Sequence, residues 1–247
     1  MKVSAVISEL GRMGLFSADV VLWTMRRPIR VRSIFKQMEV IGVNSLFVVF
    51  LTGLFTGMVF AFQTYYAFRK FGAEGYIGLT LALSVTRELG PVLTGLMVAG
   101  RAGSQMATEL GTMRVTEQID ALTAMALNPV KYLVVPRVIA SALMFPILTI
   151  LSDFVGILGG WLIAVKLLGV NEGAFMGRIT RHVDFHDITS GLVKALFFGL
   201  FVAIICSYKG FYARGGAAGV GKATTDAVVF SCVTILISDY ILTSLLF

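Results

Sequence analysis

This chain of 247 residues carries little charge. Asp, Glu, Lys and Arg make up 14% of it, while 57% is hydrophobic. A soluble domain carries roughly a quarter charged residues. That shortfall, with a mean hydropathy of +0.85, excludes an ordinary soluble class and points to the membrane. Cysteine is nearly absent. Cys206 and Cys232 lie inside apolar runs, so they give no disulfide framework and no metal site and read as small apolar side chains. The first residues, MKVSAVISELGRMG, lack the unbroken apolar stretch and small-residue cleavage site of a secretory leader, so no cleaved signal peptide is expected. The net charge of +7 is not a nucleic-acid signal, because the basic residues flank apolar runs. There they orient a membrane protein and meet anionic headgroups.

Five runs approach the roughly 20 apolar residues needed to cross a bilayer. The first extends from Gly42 to Phe68 without a charge. The second, Gly75 to Gly100, is broken only by Arg87-Glu88. The third, Val138 to Val165, is broken by Asp153. The fourth, Ile188 to Tyr208, is broken by Lys194, and the fifth, Ala227 to Phe247, by Asp239. Each predicts a helix, since helices and closed barrels alone satisfy their backbone in lipid, and barrel strands are short and alternating. Fourteen Lys/Arg flank the spans on the side of the N-terminus, in residues 1–40, 101–137 and 209–222. Six lie on the other side: Arg69, Lys70, Lys166, Arg178, Arg181 and Lys194. This asymmetry predicts a cytoplasmic N-terminus and an opposite C-terminus. Residues 1–40 are too charged to span. Val3, Val6, Ile7, Leu10, Met13 and Gly14 recur at helical spacing, with Arg26, Arg27, Arg30, Arg32 and Lys36 following. The pattern predicts an interfacial helix held by apolar contact and anionic lipid, and broken at Pro28.

Two stretches imitate soluble chemistry. GGAAGVGKATT, residues 215 to 225, gives G-x-x-x-x-G-K from Gly216. Ala223 then stands where a phosphate loop needs a Ser or Thr hydroxyl, and the preceding segment is a span rather than a strand. A short cytoplasmic turn is expected, with Thr224-Thr225 starting the last helix. HVDFHD, residues 182 to 187, spaces His182 and His186 as a helical metal pair would be. No third ligand converges on them, and the segment reads as a polar interfacial loop.

Residues 101–137 form the longest loop between spans. Thr116, Glu117, Gln118 and Asp120 place acid near a helix start, and Ala121, Leu122, Ala124, Met125 and Leu127 supply an apolar face that Asn128-Pro129 ends. Such a helix either packs on its own spans or docks in a groove of a soluble partner. Arg87 and Glu88, in mid-span, are costly unless they pair or face a polar cavity. Asp153, Lys194 and Asp239 are the available partners. Pro91 leaves an unpaired carbonyl one turn earlier, near Arg87. FAFQTYYAFRKF, residues 60 to 71, reads as an interfacial aromatic belt or as an apolar wall against acyl chains. Gly53 and Gly57, Ala99 and Gly103, and Gly156 and Gly160 recur at close-packing spacing, within one chain or across a two-fold axis.

The stretch RELGPVLTGLMVAGRAGSQMATELGTMRVTEQIDALTAMALNPVKYLVVPR, together with ATTDAVV at the entry to the last span, resembles the MlaE (YrbE) permeases, the membrane subunits of MCE-type phospholipid ABC transporters. The likeness covers nearly the whole chain. It implies an all-α integral membrane protein with five transmembrane helices, an N-terminal interfacial region over 1–40 and a permease domain over 41–247. It implies a homodimer with a separate cytoplasmic ATPase subunit and a periplasmic MCE-domain subunit, in the inner membrane of a Gram-negative cell. The cargo would be glycerophospholipid moved between inner and outer membranes. No cofactor and no catalytic residue belong to this chain, since ATP and magnesium would be used by the partner. Glu117, Gln118, Ile119, Asp120, Ala121 and Leu122 correspond to the family's coupling helix. Arg87 and Glu88, in the RELGP region, and Phe60, Phe68 and Phe71 correspond to its lipid-cavity wall. The competing readings are an ion-coupled secondary transporter that uses Glu88, Asp153 and Asp239 as relays, and a non-transporting membrane scaffold. Five spans do not divide into the internal repeats usual for the former.

Overall fold

The computed structural model describes residues 2–26 and 30–246. Among these, eight helices and no strand are found. Helix α1 is Lys2–Met25. Helix α2, Val31–Arg69, is the first of five helices long and apolar enough to span a membrane. The others are α3 (Glu74–Val115), α5 (Val130–Leu167), α7 (Phe185–Phe211) and α8 (Gly216–Leu246). Two shorter helices lie between them, α4 (Gln118–Ala124) and α6 (Glu172–His182). Connectivity places α1, α4 and the 212–215 turn at one end of the bundle, the α4 face. It places α6 and the end of α8 at the other, the α6 face.

The spans are longer than the apolar runs that announced them. Residues 31–41 are amphipathic and basic, yet they are continuous with the first span through a 3-10 turn, Val43–Ser45. Arg101 Nη1 holds that bend, donating to Val40 O at 3.0 Å and to Ser45 Oγ at 3.1 Å. The break expected at Pro28 lies outside the described residues, as do the side chains of Val3, Val6, Ile7 and Leu10. Further along α1, Phe16 and Val20 are buried against Val134, Val138, Ala203 and Tyr208. The helix is therefore packed on the bundle as well as lying at its edge.

Two expectations fail. Residues 101–115 are not loop, because α3 continues without interruption to Val115. The glycines of GGAAGVGKATT make a turn only at their start. The turn is Tyr212–Gly215, Gly215 and Gly216 take positive φ, and helix runs from Gly216 through Gly219 and Gly221, well before Thr224. Glycine is a poor helix former, so tertiary contact has to hold this start. Val220 is buried against Gly111 of α3, and Thr108 Oγ1 lies 2.9 Å from Thr224 Oγ1. Both extensions are stabilised by each other.

The small residues act within the chain. Gly57 of α2 faces Gly156 of α5 so closely that a Cβ on Gly57 would occupy the Gly156 carbonyl, and a Cβ on Gly53 would be tight against Ser152. The α2–α5 pair is thereby in close backbone contact, as small residues permit in lipid. The core behind it joins Val49, Val98, Met106, Phe145, Leu148, Phe198 and Ile235.

Candidate functional site

Helix α3 carries a π-helical turn at Val85–Leu89, where Gly90 N–H reaches back to Val85 O. Pro91 follows and has no N–H, so the Arg87 carbonyl is without its ordinary helical donor. Lys194 of α7 supplies one, its Nζ lying 3.0 Å from Arg87 O. The orphaned carbonyl expected from Pro91 is therefore real, and a lysine from another span satisfies it.

The same ammonium binds three side chains. Glu88 Oε2 is at 2.8 Å, Thr243 Oγ1 at 2.7 Å and Asp239 Oδ1 at 3.1 Å. Thr243 Oγ1 lies 3.2 Å from Glu88 Oε1. Lys194 is fully buried while Glu88 is 39% exposed, so the pair runs from the bundle interior to its surface. A buried ammonium is tolerable only with such a set of acceptors.

Arg87 turns the other way. Its Nε and Nη2 both donate to Asp187 Oδ1, at 2.8 and 2.5 Å. Asp187 is buried at the start of α7, and its Oδ2 accepts Asp184 N–H at 2.9 Å within a capping box. The helix start thus fixes the carboxylate, and the carboxylate fixes the guanidinium, which keeps 36% exposure. HVDFHD is therefore not a free interfacial loop. His182 closes α6, while His186 and Asp187 open α7. Among the described residues no group of three His, Cys, Asp or Glu side chains is placed to hold a metal. Within α3, which runs on to Val115, Arg87 and Glu88 lie nearer the α6 face than the α4 face. Asp153 joins neither group. It is buried against the Gly90 backbone, and its Oδ1 has no hydrogen-bond partner.

The three aromatic residues split. Phe60 and Phe68 pack partly buried beside Ala61, Leu81, Ala164 and Phe175, in a cluster within the chain. Phe71, beyond the end of α2, is 83% exposed.

Helix α4 follows a left-handed residue, Glu117 at φ 58°. It packs on its own spans through one side and leaves the other side exposed. Ile119 is buried with Leu110 and Leu133, and Leu122 is half-buried beside them. Glu117, Gln118, Asp120 and Ala121 are exposed, as are Ala124, Met125 and Leu127 of the expected apolar face. Asp120 Oδ1 accepts from Arg114 Nη1 at 2.6 Å, which ties the helix to the end of α3.

Sequence reasoning missed Asp187 and Thr243. The first left a signal, since Asp184 and Asp187 have the three-residue spacing of a capping box. The second left none, because a threonine in an apolar run ordinarily bonds its own backbone, as Thr243 also does to Asp239 O at 2.8 Å.

Five apolar spans, with a cluster of buried charge toward the α6 face and a short amphipathic helix held at the α4 face, define an all-α, multi-pass membrane protein. Residues 34–245 match the family model described as Permease MlaE. A Rickettsia conorii protein named as a probable ABC transporter permease is 47% identical over 239 residues, covering 97% of this chain and 92% of the relative. The Haemophilus influenzae intermembrane phospholipid transport system permease protein MlaE is 41% identical over 213 residues, covering 86% and 82%. A chloroplast protein of Arabidopsis thaliana, TRIGALACTOSYLDIACYLGLYCEROL 1, is 40% identical over 94% of this chain and 67% of its own. The chain belongs to the MlaE family of ABC transporter permeases.

Proposed function

We propose that this chain is the permease subunit of an ATP-driven transporter that moves glycerophospholipid between the inner and outer membranes and so maintains outer-membrane lipid asymmetry. Two copies form the membrane unit, with the N-terminus in the cytoplasm and the C-terminus in the periplasm. A separate ATPase subunit seats on the α4 face, and an MCE-domain subunit seats on the α6 face. The chain hydrolyses nothing itself. The kinship with the Haemophilus phospholipid permease supports the cargo.

The observation that carries the reading is the half-exposure of Arg87 and Glu88. Ion pairs that only locked the bundle would be expected to close over both partners. Here Lys194 and Asp187 are buried while Arg87 and Glu88 keep roughly a third of their surface open. A phosphodiester reaching that opening meets a guanidinium already oriented by Asp187, and a planar fork suits phosphate oxygens. Phe71 and the aromatic end of α2 lie at the same face and offer contact to acyl chains. On the α4 face, Glu117, Gln118, Asp120 and Ala121 offer the polar contact for a partner groove, with Ile119 and Leu122 as the anchor that passes motion into α3 and α5. Helix α8 buries little of itself within one chain, which leaves it for lipid or for the second copy.

The test is purification from native membranes. An ATPase subunit should co-purify with the wild-type chain, and bound phospholipid should be measurable as phosphorus per copy. Arg87→Ala and Glu88→Ala should lower the bound phospholipid while leaving ATPase retention intact. Absence of both ATPase and phospholipid from the wild-type preparation would overturn the proposal.

A further inference from the structure

A second cluster of charge lies at the α4 face, far along the chain from Arg87. The end of α1, the start of α2 and the start of α5 border an open cavity of about 190 Å³, lined among others by Trp23, Arg26, Arg30, Asn128, Lys131 and Tyr132. At about 30 Å³ per water, this admits a headgroup but not acyl chains. Pockets for larger ligands start near 300 Å³.

The cations are arranged on aromatic faces. Arg26 stands over the Trp23 ring at 5.0 Å from its centroid, and Lys131 reaches the same ring at 5.5 Å. Arg30 covers Tyr132 at 3.8 Å. Cation–π contact orients these groups, and at Arg26 and Arg30 it does so without neutralising the charge. Two cations share one indole, and no carboxylate is among the described lining residues. An anion placed between them relieves their repulsion and gains charge-assisted hydrogen bonds. Trp and Tyr with Arg and Lys at the mouth of a spanning helix is also the composition of a membrane–water interface. The same helices expose Leu22, Met25 and Phe35 to receive apolar chains.

We infer that this cavity is a binding site for the phosphate headgroup of an anionic phospholipid resident in the leaflet at the α4 face. It is separate from any lipid that is transported. Leu127 and Asn128, which line it, belong to the connection leaving α4. An occupied site therefore ties the interfacial helix, the first span and that connection together, and makes the setting of α4 depend on local lipid charge. The inference rests on the membrane placement of the chain and not on which substrate it moves.

Trp23 reports on the site directly. The sequence holds two tryptophans, so Trp161→Phe leaves Trp23 as the sole indole. The detergent-purified full-length chain is titrated with short-chain phosphatidylglycerol, short-chain phosphatidylcholine and inorganic phosphate, each below micelle formation. A saturable change in Trp23 emission is expected with phosphatidylglycerol. Arg30→Gln with Lys131→Gln should weaken it by about tenfold or more, and Arg30→Lys with Lys131→Arg should largely restore it. If the double glutamine variant does not fold by thermal melting, Arg30→Gln alone, at an exposed position, serves in its place. Native mass spectrometry of the otherwise wild-type chain should show the anionic lipid retained. An equal response to phosphatidylcholine, or a response unchanged in the glutamine variants, overturns the site. Saturation by inorganic phosphate alone would make it a free-anion site and overturn the lipid assignment.

Discussion

Lys194 Nζ lies 2.8 Å from Glu88 Oε2, with the lysine fully buried and the glutamate open to the surface. Three spans meet at that ammonium, since it also holds Asp239 and Thr243 of α8 and the Arg87 carbonyl of α3. Lys194→Met keeps an unbranched side chain only one atom shorter and strands these acceptors. Removing one partner of a buried pair costs about 3–5 kcal/mol. A large fall in melting temperature in detergent is expected. Asp239→Asn should be milder, because Lys194 keeps its other acceptors. Equal melting curves for the two variants would contradict this ranking.

The Arg87–Asp187 pair has a second consequence, because one carboxylate caps α7 and holds Arg87 at once. Asp187→Asn removes the charge yet can still accept Asp184 N–H. Asp187→Ala loses both functions, and a lost N-cap adds about 1 kcal/mol. Thermal melting should therefore rank wild type above Asn and Asn above Ala. Both variants should release Arg87 and lower the phospholipid that co-purifies. Bound lipid unchanged in Asp187→Ala would separate Arg87 from lipid binding.

On α4, folding and docking are separable by residue. Ile119→Ala removes a buried side chain between Leu110 and Leu133, a change that costs about 2–5 kcal/mol, and it should loosen the segment itself. Glu117→Lys with Asp120→Lys alters exposed groups only. The Arg114–Asp120 pair it breaks is exposed and worth about 1 kcal/mol or less. The double variant should melt with the wild type and lose the co-purifying ATPase. Retention of ATPase by the double variant would move the docking surface elsewhere.

Close approach at Gly57 makes a further contrast. Any Cβ there meets the Gly156 backbone, whereas Gly100 has nothing within 4 Å. Gly57→Val should abolish folded protein in membrane extracts. Gly100→Ala should be neutral or stabilising by about 0.5–1 kcal/mol. Good yield of folded Gly57→Val would show that α2 and α5 are not held at that contact.

Reading the chain as five spans succeeded because lipid permits little else, and unbroken apolar runs are counted directly. Lys194 was legible as one of three candidate partners for the Arg87-Glu88 pair, since ionisable residues inside a span are few and must find one another, but nothing in the sequence chose it over Asp153. Asp187 was not legible, because it sits among His182, Asp184 and His186 in a polar stretch whose composition says surface. Its burial comes from α7 beginning there and packing on α3, where Gly191 lets the Thr86 carbonyl approach. The helix through GGAAGVGK was illegible for a different reason. Its local propensity opposes helix, and the contacts of Val220 and Thr224 with α3 override it. The packing of Ile119 was hidden by period. The residues 121 to 127 formed the more conspicuous apolar stripe, yet the left-handed turn at Glu117 rotates Ile119 inward instead.

The central claim is that this permease moves phospholipid when a partner hydrolyses ATP. The most direct measurement reconstitutes the co-purified complex in liposomes holding a fluorescent phospholipid and follows the movement of that lipid out of the donor membrane. Movement should need hydrolysable ATP, should stop with a non-hydrolysable analogue, and should fall at least tenfold in the Glu117→Lys, Asp120→Lys variant. Movement at the same rate without ATP, or none with ATP in a complex that hydrolyses it, would contradict the claim.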